Sequence, residues 1–119
     1  MILNQANLLG FKIISLHNIR MPYTQLLKAT NGKNKYTMIF YDHLRKKIKT
    51  INFGAVGYND YTITNDLQAK MNYISRHQAR EDWSNPMTAG TLSKFLLWNK
   101  TSLSASYKDF RSKFKYELY

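Results

Sequence analysis

The stretch from residue 53 to residue 98 constrains the fold of this chain most. It joins a glycine-marked turn to two amphipathic segments and a tryptophan-bearing junction. Gly54 and Gly57 can adopt the positive φ angles that a chain needs where a sheet gives way to a helix. Apolar residues beyond them recur at helical spacing. The sequence therefore predicts an α+β fold, with a small antiparallel β-hairpin or sheet in the first half followed by three α-helices.

The first half predicts strands on either side of an Asn-Gly turn. Asn31 and Gly32, with their flanking lysines, are typical of a hairpin turn. The segments around the turn are rich in aromatic and β-branched residues, which favour strands. The predicted strands are 25–29, 36–41 and 48–53, with a loop at 42–47.

The second half predicts helices from caps and apolar stripes. Thr64 or Asn65 can cap the first helix, Thr88 the second, which runs to about Trp98, and Ser102 the third. The predicted stripes are Leu67, Met71, Ile74 and Gln78 in the first, Leu92, Phe95 and Leu96 in the second, and Leu103, Tyr107, Phe110 and Phe114 in the third.

Length and composition predict one domain. The chain has 119 residues and 44% hydrophobic content, enough for a single core. Proline at position 22 disfavours a helical conformation at Met21, so we predict an amino-terminal extension over 1–20, with a strand near 12–16, and a single domain over 21–119. Cysteine is absent, which excludes disulfides and thiolate zinc sites. No apolar run approaches the roughly 20 residues of a transmembrane helix, so no transmembrane segment is expected.

The charge balance indicates a polyanionic or acidic partner. Lysine and arginine number 18 against 7 acidic residues, for a net charge of +11. Residues 1–54 hold nine bases and one acid, whereas the remainder holds nine bases and six acids. Such an excess favours contact with nucleic acid or with acidic protein neighbours.

Three groups of residues are candidates for this contact. The first lies in the predicted loop and the strand after it, the second surrounds an aromatic ring on the first helix, and the third forms a stripe on the last helix. They are Arg45, Lys46, Lys47 and Lys49; Lys70, Tyr73, Arg76 and Arg80; and Lys108, Arg111 and Lys115. Cations can neutralise phosphates and an aromatic ring can stack on bases. Solvated lysines around a half-buried tyrosine are the alternative interpretation.

Catalytic and metal-binding motifs are absent from the sequence. His17, His43 and His77 are scattered and form no metal-ligand spacing. Glu81 and Asp82 beside Arg80 predict local ion pairs. A nuclease built from Asp60, His77 and Glu81 is the enzymatic alternative, although no motif orders these residues. We therefore expect no enzymatic activity, no catalytic residue, no metal, no cofactor and no small-molecule substrate.

The order of several motifs resembles a family of short basic proteins encoded mainly by large double-stranded DNA viruses of eukaryotes. The resemblance covers about residues 22–114. It rests on Phe53, Gly54, Gly57, Tyr58, Asp60, Tyr61 and Thr62; Arg76, His77, Glu81, Asp82 and Trp83; Thr88, Ala89 and Gly90; Leu97, Trp98 and Asn99; and the helix from Leu103 to Phe114. This family has no known activity, so it supplies no catalytic residues.

The resemblance implies a viral origin. Together with the charge, it leads us to expect a non-enzymatic virion structural protein, either a minor capsid protein or a capsid-associated one, that contacts other virion proteins through complementary charge. The implied location is the virion, and the host cytoplasm or nucleus during assembly. The alternative is a sequence-independent viral DNA- or RNA-binding protein.

Overall fold

The computed structural model of the protein describes residues 21–119, which form an α+β fold with a four-stranded sheet. The fold class predicted from the sequence is therefore confirmed. The predicted extension over 1–20, with its strand near 12–16, lies outside the described residues.

The sheet is mixed, with its strands in the order β3-β2-β1-β4. Strand β1 pairs antiparallel with β2, and β2 pairs antiparallel with β3. The short fourth strand pairs in parallel with β1, so the carboxyl-terminal segment closes one edge of the sheet. The strands are β1 (Tyr23–Lys28), β2 (Asn34–Tyr41), β3 (Lys47–Ala55) and β4 (Glu117–Leu118).

Alternation of side chains gives the sheet one buried face. Met38, Phe40 and Phe53 are fully or almost fully buried on that face. Successive residues of a strand point to opposite faces, so the intervening positions lie on the other face, which no described helix covers. The pairing between β2 and β3 shifts register between Phe40 and Tyr41, which is a β-bulge.

Four helices follow the first three strands. Each begins at a side chain that accepts a backbone N–H, and these caps are Asp60, Asp66, Thr88 and Ser102. The helices are α1 (Tyr61–Thr64), α2 (Leu67–His77), α3 (Ala89–Leu92), which continues as a π-helical turn (Ser93–Leu97), and α4 (Leu103–Phe114).

The core lies between the sheet and the last two helices. The wide π-helical turn follows Leu92, and Phe95, Leu96 and Leu97 are all buried within it. Phe110 of α4 is fully buried, and its ring stacks on Tyr116 with 5.9 Å between ring centroids. The aromatic stripe predicted for the last helix is therefore confirmed as a core stripe.

The structure corrects the predicted elements in three places. There are four helices rather than three, because Tyr61–Thr64 forms a separate short helix. Asn65 ends that helix in the left-handed conformation, and Asp66 caps α2 instead of Thr64 or Asn65. The parallel strand β4 was not predicted, because two residues are too short for an alternating pattern.

The orientation expected for α2 is also wrong. Leu67 and Met71 of the predicted apolar stripe are 57% and 56% exposed, whereas Tyr73 is only 7% exposed. The reason is packing: the Tyr73 ring stacks on Trp98, with 4.7 Å between centroids. One large aromatic ring against a tryptophan thus outweighs the aliphatic stripe in orienting this helix.

Candidate functional site

The topology brings sequence-distant cations to one end of the sheet. Strand β1 begins at Tyr23, which pairs with Tyr41 at the end of β2 and with Glu117 at the start of β4. Tyr41 in turn pairs with Lys47 at the start of β3. The β2–β3 loop and the end of α4 therefore meet at this end of the sheet. We call this region the basic end and define it by Arg45, Lys46, Lys47, Lys49, Lys108, Arg111 and Lys115.

Arg45 is held in place by aromatic rings. Its guanidinium carbon lies 4.3 Å from the ring centroid of Tyr23 and 5.1 Å from that of Tyr119. One terminal nitrogen donates to the main-chain oxygen of Tyr119 at 3.0 Å. The Tyr119 ring stacks on Tyr41, with 3.6 Å between centroids. These contacts restrict the guanidinium and reduce the entropy that a partner's binding would cost.

The loop that carries Arg45 is shaped by Asp42. One carboxylate oxygen of Asp42 accepts the backbone N–H groups of Leu44 and Lys46, each at 2.9 Å. The backbone hydrogen bond from Lys46 is the main cause that lowers the pKa of Asp42; burial opposes it, and the backbone hydrogen bond from Leu44 lowers the pKa further. Because this carboxylate serves its own loop, it does not pair with any neighbouring cation of the basic end in the described chain.

A groove of about 290 Å³ runs beside α4, and we call it the α4 groove. Lys108, Arg111 and Lys115 line it together with one acidic residue, Glu117. The Arg111 guanidinium carbon lies 5.1 Å from the Tyr107 ring centroid. Its Nε is buried and has no hydrogen-bond partner among residues 21–119. Lys108 and Lys115 are exposed, so their ammonium groups are the candidate contacts for an anion.

The remaining cations of the basic end are solvent-exposed. Lys46, Lys47 and Lys49 lie at the start of the edge strand β3 and in the loop before it, where lysine also discourages edge pairing. Within residues 21–119, Lys35 pairs with Asp60 and His77 contacts Glu81, and both contacts lie outside the basic end. The basic end thus has an excess of positive charge, although Glu117 also lines the α4 groove.

The predicted residues of α2 are not part of the basic end. Lys70 donates to the Asn99 carbonyl at 2.6 Å and lies over the Tyr61 ring, so it serves packing. Arg80 donates to the Arg76 carbonyl at 3.3 Å. Tyr73 is buried, so its ring faces cannot stack on a base. The structure therefore separates the predicted candidates into two regions.

A second, larger groove lies at the opposite end of the sheet, and sequence reasoning missed it. It has a volume of about 570 Å³ and lies between the β3 end, the loop before α1, and the helices α2 and α3. We call it the sheet–helix groove. Its lining includes Lys35, Tyr58, Asp60, Arg76, His77 and Trp98. Gly54 lies at its base with a φ of 77°, and a Cβ there would come within 2.9 Å of Leu97.

One wall of this groove is fixed by a buried ion pair. Lys35 Nζ lies 2.5 Å from Asp60 Oδ2 and also donates to the Tyr58 carbonyl at 2.6 Å. The other oxygen of Asp60 accepts the backbone N–H and the hydroxyl of Thr62. Asp60 is 2% exposed. Such a pair is stable only with these additional hydrogen bonds.

The opposite wall contains an oriented histidine. His77 Nδ1 lies 2.5 Å from Glu81 Oε2, and Glu81 Oε1 accepts the indole N–H of Trp83 at 2.9 Å. Glu81 thus pairs with His77, four residues earlier in the chain, rather than with Arg80. Its carboxylate lies against Gly90, where a Cβ would clash with Oε1. A side chain at position 90 would therefore displace this carboxylate.

Three stacked rings complete this wall. The Tyr73 ring lies between those of His77 and Trp98, with centroid distances of 4.2 Å and 4.7 Å. Burial, followed by the negative charge of Glu81, raises the pKa of Tyr73 to about 12, against a smaller opposing effect of Arg76. The sequence signal for the histidine was the spacing of His77 and Glu81 at i and i+4.

The described part of the chain contains no group of three or more histidine and acidic side chains that could hold a metal ion. None of the helices within residues 21–119 combines the length and apolar character needed to cross a bilayer.

Comparison with known proteins gives one family match. Residues 24–77 match the model of a family described as "Family of unknown function (DUF5754)". The match spans less than half of the chain, from β1 to the end of α2, so it includes Lys35, Asp60 and His77 but not α3 or α4. No curated protein and no solved structure matches the chain significantly.

Proposed function

We propose that the protein is a non-enzymatic structural component of a virion, a minor capsid or capsid-associated protein, whose basic end contacts acidic surfaces of neighbouring proteins. The observation that carries this proposal is the α4 groove, which Lys108, Arg111 and Lys115 line together. Cations gathered on one side of a helix suit the carboxylates of an acidic neighbour.

Exposed apolar residues favour a protein as the partner. Leu67 and Met71, one turn apart on α2, are more than half exposed, as is Ile63 of α1. Leu44 and Ile48 are exposed beside the lysines of the basic end. Apolar and cationic groups side by side are typical of surfaces that contact proteins, since nucleic acid contacts are more polar. The viral setting rests on the sequence resemblance.

Fractionation of virions tests the proposal. Particles are treated with nuclease and stripped of nucleic acid, and the protein is followed by immunoblotting. We expect it to remain with the protein shell, and we expect a Lys108→Glu/Lys115→Glu variant to be lost from the particle. A Lys28→Glu/Lys33→Glu variant, which changes the charge equally at exposed positions elsewhere, should be retained. Complete release with the genome fraction would contradict the proposal.

Sequence-independent nucleic-acid binding is the second candidate, favoured by the cations of the α4 groove next to a loop with three successive cations. In that case affinity for a 20-base-pair duplex would fall steeply with salt, because each neutralised phosphate contributes about −0.9 to the log–log slope. Retention of the protein in the shell, with a shallow dependence of duplex affinity on salt, would favour the structural role. Release of the protein with the genome, with a log–log slope steeper than about −3, would favour nucleic-acid binding.

A further inference from the structure

The sheet–helix groove has the features of a small-ligand site, and they are distinct from those of the basic end. Its volume of about 570 Å³ lies within the usual range for such sites. Lys35 is compensated by Asp60, and His77 is held by a hydrogen bond with Glu81. Arg76 also lines the groove, and it has no acidic partner among the described residues. One positive charge is therefore available to a ligand.

One polar group beside Arg76 is positioned for the same ligand. His77 uses Nδ1 for Glu81, which leaves Nε2 without a partner among residues 21–119. Nε2 donates when the ring is protonated, and an arginine beside a protonated histidine suits a phosphate.

Tyr58 provides an aromatic surface at the mouth of the groove. Its side chain is 72% exposed, yet its carbonyl oxygen is fixed by Lys35 Nζ at 2.6 Å. A large exposed ring on an anchored backbone is available for stacking on a planar group. A cation, a histidine nitrogen and an exposed aromatic ring around one groove favour a ligand that is anionic at one end and planar at the other.

We propose that this groove binds a nucleoside monophosphate, either free or as the phosphorylated end of a nucleic-acid strand. The phosphate contacts Arg76 and His77 Nε2, and the base stacks on Tyr58. The site does not depend on the basic end, which lies at the opposite end of the sheet.

Calorimetric titration of the full chain with AMP tests this proposal. We expect saturable binding of AMP that is at least about tenfold tighter than that of inorganic phosphate or adenosine alone, because each lacks one set of contacts. Arg76→Ala should weaken AMP binding by about tenfold or more, since it removes a charge-assisted hydrogen bond. Arg76 is exposed, and an unchanged circular dichroism spectrum would show that the variant folds.

Two controls separate this site from general electrostatic attraction. Arg80→Ala removes the same charge from the same end of the helix but outside the groove, and Lys46→Ala/Lys47→Ala removes charge from the basic end. Both should bind AMP within about twofold of the original affinity. An equal loss in either control, or the absence of saturable AMP binding, would overturn the proposal.

The source of the nucleotide is decided by competition. A 5′-phosphorylated hexanucleotide that displaces AMP, when its unphosphorylated form does not, would identify a strand end as the ligand. AMP binding that neither strand disturbs would identify the free nucleotide. Equal displacement by both strands would overturn the role of the phosphate.

Discussion

The basic end and the sheet–helix groove lie at opposite ends of the sheet and use their charges in opposite ways. At the groove, Lys35 pairs with Asp60 and His77 with Glu81. At the basic end, the cations form no ion pair within the described residues, and Arg45 is held by tyrosine rings instead of by an acid. Lys35 and His77 of the groove thus have partners within the fold, whereas the cations of the basic end form no ion pair within the described residues.

This difference predicts different responses to mutation. Removing one partner of a buried pair leaves an uncompensated charge and destabilises the fold strongly. Removing an exposed lysine changes stability little and changes long-range attraction instead. The groove should therefore be sensitive to single substitutions, and the basic end should respond mainly to the number of charges removed.

The largest effect is expected for Asp60→Ala. This change leaves buried Lys35 without its counter-ion and removes the acceptor for Thr62, so we expect a loss of about 3–5 kcal/mol in the free energy of unfolding. Urea denaturation measures it. Asp66→Ala, which removes a cap on the exposed surface, should cost only about 1 kcal/mol. In a Lys35→Met background the loss from Asp60→Ala should shrink, and equal losses in both backgrounds would exclude the charge explanation.

Gly90→Ala should give the next largest effect. The new methyl group would displace the Glu81 carboxylate, which leaves His77 and Trp83 without their acceptor, for an expected loss of about 1–3 kcal/mol. A double-mutant cycle with Glu81→Ala isolates this contact, because the alanine removes the clash. Gly90→Ala should then be close to neutral. A loss that persists in the Glu81→Ala background would mean that the glycine serves another purpose.

Alkaline pH should destabilise the stacked wall of the groove. The raised pKa of Tyr73 means that the unfolded chain loses this proton from about pH 10 while the folded chain keeps it to about pH 12. The contribution of Tyr73 is complete below pH 10 and is lost as the pH rises through that window, by at most about 1.4 kcal/mol per pH unit.

Denaturation of the Tyr73→Phe variant isolates this contribution. Tyr107 and Tyr116 also have raised pKa values because of burial, and they remain in the variant. Burial, followed by Lys70 and Lys113, lowers the pKa of Lys94, which acts in the opposite direction as the pH approaches 10.5. Above pH 10, the free energy of unfolding should fall further in the original protein than in the variant. A constant difference would contradict the assignment.

Stability should change least at the basic end. Lys46→Ala/Lys47→Ala should leave the free energy of unfolding within about 0.5 kcal/mol, because both side chains are exposed and no ion pair is lost. Thermal denaturation at low salt checks this expectation. A clear rise in stability would indicate that repulsion among the cations is larger than their exposure suggests.

The sequence predicted the sheet and the core better than the grooves. Alternation located the three main strands, and periodicity located Leu92, Phe95 and Phe110 in the core, because both signals are local. Lys35 and Asp60 are far apart in sequence, so their pairing had no local signal. His77 and Glu81 are only four residues apart, but α2 ends at His77, so their contact forms in the turn that follows the helix. The orientation of α2 was missed because it depends on Trp98, in another helix.

The positions of some candidate residues followed from local spacing, whereas those of others depend on tertiary packing. The stripe of Lys108, Arg111 and Lys115 lines one groove, since residues at this spacing share one side of α4. This stripe lies near the loop of Arg45 because β4 pairs with β1, and the sequence analysis did not predict β4. Lys70 and Tyr73 also formed part of a predicted basic stripe, on α2. In the structure, however, Tyr73 packs against Trp98 and Lys70 donates to the Asn99 carbonyl.

The most direct test of the account is the salt dependence of binding to duplex DNA, used as a polyanion probe. Lys47→Ala/Lys108→Ala/Lys115→Ala and Lys28→Ala/Lys33→Ala/Lys100→Ala remove the same charge, from the basic end and from exposed positions elsewhere. We predict that the first variant reduces the log–log slope by about 2–3 and that the second changes it by less than about 1. Equal reductions would contradict the account, because net charge alone would then explain binding.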